Sequence, residues 1–191
     1  MGTEHIPVLF DQVILGLRVH PGGRYIDATV GAGRHAAGIL DGSAPDGLLL
    51  GLDADPEAVR FAQQTLRPYG SRAILQVANF RSLAEHTTEV GFRQVDGIVM
   101  DLGLSSRQLA TSTRGFSFSQ DGPLDMRLDP RKGRPASALV NGLPETELAG
   151  LLWEFGEERH SRRIARAVVA ARPLTSTGQL ADVVAGAVSR R

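Results

Sequence analysis

Two rhythms of apolar residues alternate over the first hundred positions, and each change of rhythm marks the start of a new element. Val8, Leu9, Val13, Ile14 and Leu17 recur at helical spacing until His20-Pro-Gly-Gly breaks the run. Arg24-Tyr-Ile-Asp-Ala-Thr then reads as a short strand entering the glycine turn Val30-Gly-Ala-Gly33, with a helix over about 34–40 beyond it. Gly47-Leu-Leu-Leu-Gly-Leu is an unbroken apolar run, the pattern of a strand buried on both faces, and it ends at Asp53. Asp55-Pro56-Glu57 predicts a helix start, with Asp as N-cap, Pro at the first helical position and Glu favoured by the dipole; this helix should reach about Leu66. Arg72-Ala-Ile-Leu-Gln-Val reads as a third strand, 82–90 as a weak helix, and Val95-Asp-Gly-Ile-Val-Met as a fourth strand closing on Asp101.

Strands separated by helices imply right-handed crossovers and a parallel sheet, so the first half is predicted to be α/β. Ligands of such sheets bind at the carboxyl ends of the strands. Asp27, Asp53, Asn79 and Asp101 all fall at or just beyond such ends. After Asp101 the alternation stops. A stretch over 102–134, rich in Gly, Ser, Asp and Pro, reads as a long loop, and helices are expected over 143–155, 157–171 and 177–190.

Composition narrows the function classes. Cysteine is absent from the 191 residues, which excludes disulfides, thiolate metal sites and a cysteine nucleophile, and fits a reducing cytoplasm. Five scattered histidines lack metal-ligand spacing, so no metal is expected. No apolar run is long enough to cross a bilayer. The zero net charge conceals an asymmetry: residues 1–100 hold 8 Arg and Lys against 11 Asp and Glu, and residues 101–191 hold 13 against 10. A polyanionic partner of the second half is one reading, and a solvated charged surface is the other.

The chemistry concentrates at the glycine turn. Gly31 and Gly33 allow positive φ and close approach of a ligand, and the helix that follows offers free N–H groups. Asp53 stands 20 residues after Gly33 at the end of the next strand, where a carboxylate can accept both hydroxyls of a ribose. Together they point to a nucleoside-bearing cofactor. Gly31-x-Gly33-x-x-Ala36 also satisfies a dinucleotide fingerprint, which keeps a nicotinamide oxidoreductase open. Asp27 and Asp101 weigh against it, because carboxylates sit badly beside a pyrophosphate and well beside the ammonium group of a sulfonium cofactor.

Longer blocks carry a specific resemblance. His5-Ile-Pro-Val-Leu, Asp27-Ala-Thr-Val-Gly-Ala-Gly-Arg-His35, Asp53-Ala-Asp-Pro56, Asn79-Phe80 and Asp96-Gly-Ile-Val-Met-Asp-Leu-Gly-Leu-Ser-Ser106 come first. Arg114-Gly-Phe-Ser-Phe118, Asp121-Gly-Pro-Leu-Asp-Met-Arg127 and Gly156-Glu-Glu-Arg-His-Ser-Arg-Arg-Ile-Ala-Arg166 follow in order. Over essentially its whole length the chain resembles the bacterial 16S ribosomal RNA cytosine-N4 methyltransferases. The resemblance implies a Rossmann-like methyltransferase sheet, strand order 3-2-1-4 in the part present, with a helical inserted domain. It implies an S-adenosylmethionine site made by Gly33, Arg34, His35, Asp53, Phe80, Asp101 and Gln108. Two departures stand out. Arg34 replaces the family's usual glycine, so its contact is expected through backbone, and Ser105-Ser-Arg-Gln-Leu109 replaces Ser-Ser-Pro-Gln-Leu.

The implied reaction is methyl transfer to cytosine N4 in 16S rRNA of the small ribosomal subunit, with Asp101 serving the amine, the cofactor or both. For RNA contact, Arg114, Phe116, Phe118 and Arg127 form one candidate group, and Arg159, Arg162, Arg163 and Arg166 on the helix from Glu157 form another. Residues 1–108 are expected to form the cofactor half and 109–191 the loop and helical substrate-recognition domain. A catalytically idle RNA-binding module is the rival reading. The chain also looks truncated at its C-terminus, with the fourth strand left on an open edge through which copies could self-associate.

Overall fold

The computed structural model describes residues 9–117 and 119–188; Phe118 and the block beginning at His5 lie outside the described residues. The chain divides into two compact units, Met1–Gly103 and Leu104–Arg191. That division falls before the expected boundary at 108/109 and assigns Gln108 to the second unit. The physical reason is local: Ser105 and Gln108 cap a short helix of the second unit, so the chain has left the sheet by then.

In the first unit the strands are β1 (Arg24–Asp27), β2 (Leu48–Asp53), β3 (Ala73–Val77) and β4 (Gly97–Val99). All pairings are parallel, in the order β3-β2-β1-β4, as expected of a Rossmann-like sheet. The register sets Ile26 beside both Leu50 and Ile98, and Leu50 beside Ile74. The helices are α1 (Phe10–Gly16), α2 (Arg34–Gly42), α3 (Pro56–Leu66) and α4 (Leu83–Glu89). One sheet face buries Tyr25 and Leu49 with Ala36, Ile39, Leu40, Ala62 and Leu66 of α2 and α3. The other buries Ile26, Leu50 and Leu52 with Ala78 and Phe92, and Leu83 of α4 packs there. Two covered faces explain why β2 is a continuous run of leucines rather than an alternation. Glycine has a steric role in that strand, since a Cβ at Gly51 would lie 2.5 Å from Leu75 and 2.9 Å from Val30. Among the described residues β4 pairs with β1 alone, and Ile98 and Met100 are 43% and 47% exposed.

The second unit is helical: α5 (Ser106–Ala110), α6 (Ala136–Gly142), α7 (Glu145–Glu154), α8 (Ser161–Ala170) and α9 (Thr177–Val188). Leu124, Val140, Leu148, Ile164, Ala165, Val168 and Leu174 form its core. Polar ties finish the packing. Arg172 donates to the carbonyls of Val140 and Leu143, capping α6 at the end where its dipole favours a cation. Asn141 bonds both the N–H and the C=O of Leu174. Two expectations need correction here. Part of the predicted long loop is helical, as α5, and the helix expected from Glu157 starts only at Ser161. Glu157 has a φ of +49°, and the Glu158 carboxylate takes the His160 N–H, so the chain turns before it can coil. Arg159 therefore stands in that turn and not on the helix.

The cap of α3 is as read from sequence: Asp55 is buried and accepts the Glu57 N–H at 2.9 Å. Asp55→Ala is expected to cost about 1 kcal/mol of stability, seen as a lower urea midpoint at unchanged slope.

Candidate functional site

The glycine turn links β1 to α2. Gly31 and Gly33 have φ of +52° and +83°, a conformation that side chains with a Cβ rarely adopt. At Gly33 a Cβ would also press on Leu66 and Ala62 of α3 at 3.2 and 3.3 Å, so the turn lies tightly against that helix. Gly33 is the N-cap of α2, and the first-turn N–H groups from Arg34 onward have no acceptor within the helix. The Arg34 side chain is exposed.

Asp53, at the end of β2, holds this turn in place. One carboxylate oxygen accepts the Gly31 N–H and the other accepts the Asp55 N–H, each at 2.9 Å. The Ala54 N–H also favours the ionised form, and the carboxylate keeps acceptor capacity for a further donor. Asp27, at the end of β1, is only 2% exposed and accepts the Thr29 N–H at 3.1 Å. Asp101, two residues beyond β4, is exposed, and its N–H donates to the Thr29 hydroxyl at 2.7 Å. The segment Asp27–Thr29 thus touches the ends of both β1 and β4. Phe80 opens a 3₁₀ turn just past β3 and is 39% exposed, so it is not a core residue.

The strand ends therefore bring together Gly33, Arg34, Asp53, Phe80 and Asp101. Asp27, which sequence reading noticed as a strand-end carboxylate, joins them as the most buried of the acids. His35 is placed differently. Its ring stacks on Phe10 of α1 at 6.0 Å between centroids, and its Nε2 is buried with no partner among the described residues. What His35 offers a ligand is its backbone N–H. Gln108 belongs to the second unit, where its side chain accepts the Ser105 N–H in a capping box whose other half is Ser105 accepting the Gln108 N–H. The Ser-x-x-Gln spacing was visible in the sequence and marks a helix start.

The arginines of the second unit fall into two groups. Arg114 donates to the carbonyls of Arg127 and Leu128 and lies over the Phe116 ring at 5.9 Å. Arg127 grips the Asp125 carboxylate through two nitrogens, at 2.9 and 2.6 Å. Arg114, Phe116 and Arg127, read from sequence as an RNA-binding group, hold the loop in shape. Arg159, Arg162, Arg163 and Arg166 are exposed, and the ion pair found among them is Arg166 with Glu145 at 3.5 Å.

Burial pushes the Asp27 carboxyl up to about 7, opposed by the Thr29 N–H and reinforced by the negative charges of Asp53 and Asp101. Burial likewise raises Asp53, against the N–H groups of Asp55 and Gly31. Between the ordinary value of 3.8 and about 7, the folded chain keeps on Asp27 a proton that the unfolded chain has lost. Stability from this group is therefore present at acid pH and is lost as pH rises towards and through 7. Asp27→Asn is expected to raise the melting temperature at pH 8 and to flatten the melting profile between pH 5 and 8.

A sheet end carrying three acids around a glycine turn favours a ligand with cationic and hydroxyl groups, and comparison with known proteins gives that chemistry a family. The model of the MraW methylase family matches residues 2–191. The ribosomal RNA small subunit methyltransferase H of Syntrophobacter fumaroxidans is 53% identical over 188 residues, which is 97% of this chain and 59% of that one. Its counterpart from Geotalea uraniireducens is 50% identical over 190 residues, covering 98% of this chain and 61% of the relative. The chain thus spans about three fifths of the length of these relatives. With its glycine turn, its strand-end acids and a match that runs from residue 2 to residue 191, the chain belongs to the MraW methylase family.

Proposed function

We propose that this chain is the cofactor-binding and RNA-recognition part of an S-adenosylmethionine-dependent methyltransferase. Its substrate is the N4 amine of a cytosine in 16S ribosomal RNA, and it works in the cytoplasm on the small ribosomal subunit. The observation that carries the reading is the set Asp27, Asp53 and Asp101 around the turn Gly31–Gly33, on a chain of a methylase family. The same acids disfavour a nicotinamide dinucleotide, whose pyrophosphate would meet them as like charges.

The residues fit S-adenosylmethionine. The Asp53 carboxylate keeps acceptor capacity for ribose hydroxyls, and the exposed Phe80 ring offers a face to the adenine. Asp27 supplies a counter-charge to the ammonium group, and the first-turn N–H groups of Arg34 and His35 supply donors. When bound, the cofactor provides an electrophilic methyl group. Cytosine N4 is a weak nucleophile because its lone pair is delocalised into the ring. Asp101 is the exposed carboxylate of the three, so it is the one that can accept a hydrogen bond from the amine, localise the pair and balance developing positive charge. A cationic ligand also stabilises ionised Asp27, so cofactor binding releases a proton near neutral pH.

RNA recognition is assigned to Arg159, Arg162, Arg163 and Arg166, because Arg114 and Arg127 are engaged within their own loop.

Calorimetric titration with S-adenosylhomocysteine should give saturable binding where NAD gives none; the reverse result would return the chain to the oxidoreductases. Asp53→Ala is expected to weaken that binding at least tenfold, since each hydrogen bond to a charged group is worth about 1.5–3 kcal/mol. Arg162→Glu with Arg163→Glu should leave cofactor affinity unchanged. The same pair should lower the salt dependence of RNA binding, as a log–log slope, by on the order of 1–2.

A further inference from the structure

A groove of about 690 Å³ runs between α7 and α8, and its lining is chemically lopsided. Four arginines, Arg159, Arg162, Arg163 and Arg166, face it with a single carboxylate, that of Glu145. Glu145 pairs with Arg166, which leaves Arg159, Arg162 and Arg163 with no carboxylate partner among the described residues. Along α7, Thr146, Gly150 and Trp153 share one face at spacings of four and three. Gly150 opens the trough, since a Cβ there would meet nothing within 4 Å. Trp153 stands at its end, 61% exposed although it is the largest apolar side chain of its helix. An indole left in water beside unpaired guanidinium groups costs hydrophobic stabilisation that the core could have had. The core of the unit instead takes Leu148 and Ala149 from this helix.

We infer that the α7–α8 groove is a subsite for single-stranded RNA, in which an unpaired base stacks on Trp153 while Arg159, Arg162 and Arg163 hold the flanking phosphates. The chemistry selects this occupant. Guanidinium groups take phosphate oxygens in pairs, and an exposed indole takes the face of any base, so the combination needs a polyanion with accessible aromatic faces. A duplex offers the phosphates and hides the faces. An acidic protein segment would satisfy the arginines and leave the indole without a matching partner. The inference deepens the RNA reading of this unit and is independent of cofactor binding in the other.

Trp153 is the chain's sole tryptophan, so its fluorescence reports on this groove alone. The intact chain should be titrated with a single-stranded RNA decamer, the same sequence as duplex, heparin and a glutamate-rich peptide. The decamer is expected to quench the emission saturably, and the duplex and heparin to bind with little quenching. Trp153→Leu should weaken decamer binding on the order of tenfold while leaving heparin affinity intact. Gly150→Leu, which keeps every charge and the indole and whose Cβ has open space, should weaken the decamer similarly and abolish the quench. Decamer binding that obeys the arginine salt dependence without moving the emission would overturn the subsite and leave RNA recognition standing. Absence of any RNA binding would overturn both. Quenching by the acidic peptide and not by RNA would reassign the groove to a protein partner.

Discussion

The carboxylate of Asp53 accepts backbone N–H groups from both Gly31 and Asp55, and through those two bonds one side chain at the end of β2 positions the glycine turn and the start of α3. Much at the carboxyl ends of the strands follows from that arrangement. The turn must carry glycine at 31 and 33 to reach Asp53 with positive φ, and Gly33 then starts α2 with its first N–H groups unused. Asp55, brought to the same place, caps α3 with its own carboxylate. Asp53 and Asp55 thus divide into one acid facing the turn and one acid facing the helix, although both look alike in the sequence.

Placing Asp27 and Asp53 at the strand ends costs free energy, because burial opposes the ionisation of both and the charges of Asp53 and Asp101 further oppose that of Asp27. The sheet enforces the proximity. Its two covered faces fix β1, β2 and β4 in register, and their carboxyl ends have nowhere else to go. Asp101 is exposed, whereas Asp27 is buried and accepts the Thr29 N–H, and Asp53 is half-buried and engaged by backbone on both oxygens.

In the helical unit, arginine does two different jobs. Arg114, Arg127 and Arg172 donate to carbonyls or to Asp125 and stand in for the secondary structure that a glycine- and proline-rich stretch cannot make. Arg159, Arg162 and Arg163 make no such bonds among the described residues and stay at the surface. The basic excess of residues 101–191 is therefore partly structural.

The sequence by itself determined the parallel sheet, its strand order through the resemblance, the cap at Asp55 and the acids at the strand ends. Each of these depends on local periodicity or on a short motif whose geometry is set within a few residues. The tertiary structure alone decided which side chains of a motif stay open at the strand ends and which are tied into packing or caps. His35 sits in the same block as Gly33, and Gln108 lies just past the block of Asp101, yet one ring is packed on Phe10 and the other side chain closes a helix cap. Arg159 could be drawn on a helical stripe only until the positive φ of Glu157 delayed that helix. Trp153 carried no signal in the sequence, because an aromatic at helical spacing is ordinarily core. Its exposure follows from which face of α7 the core takes, and that depends on residues more than ten positions away on α8 and α9.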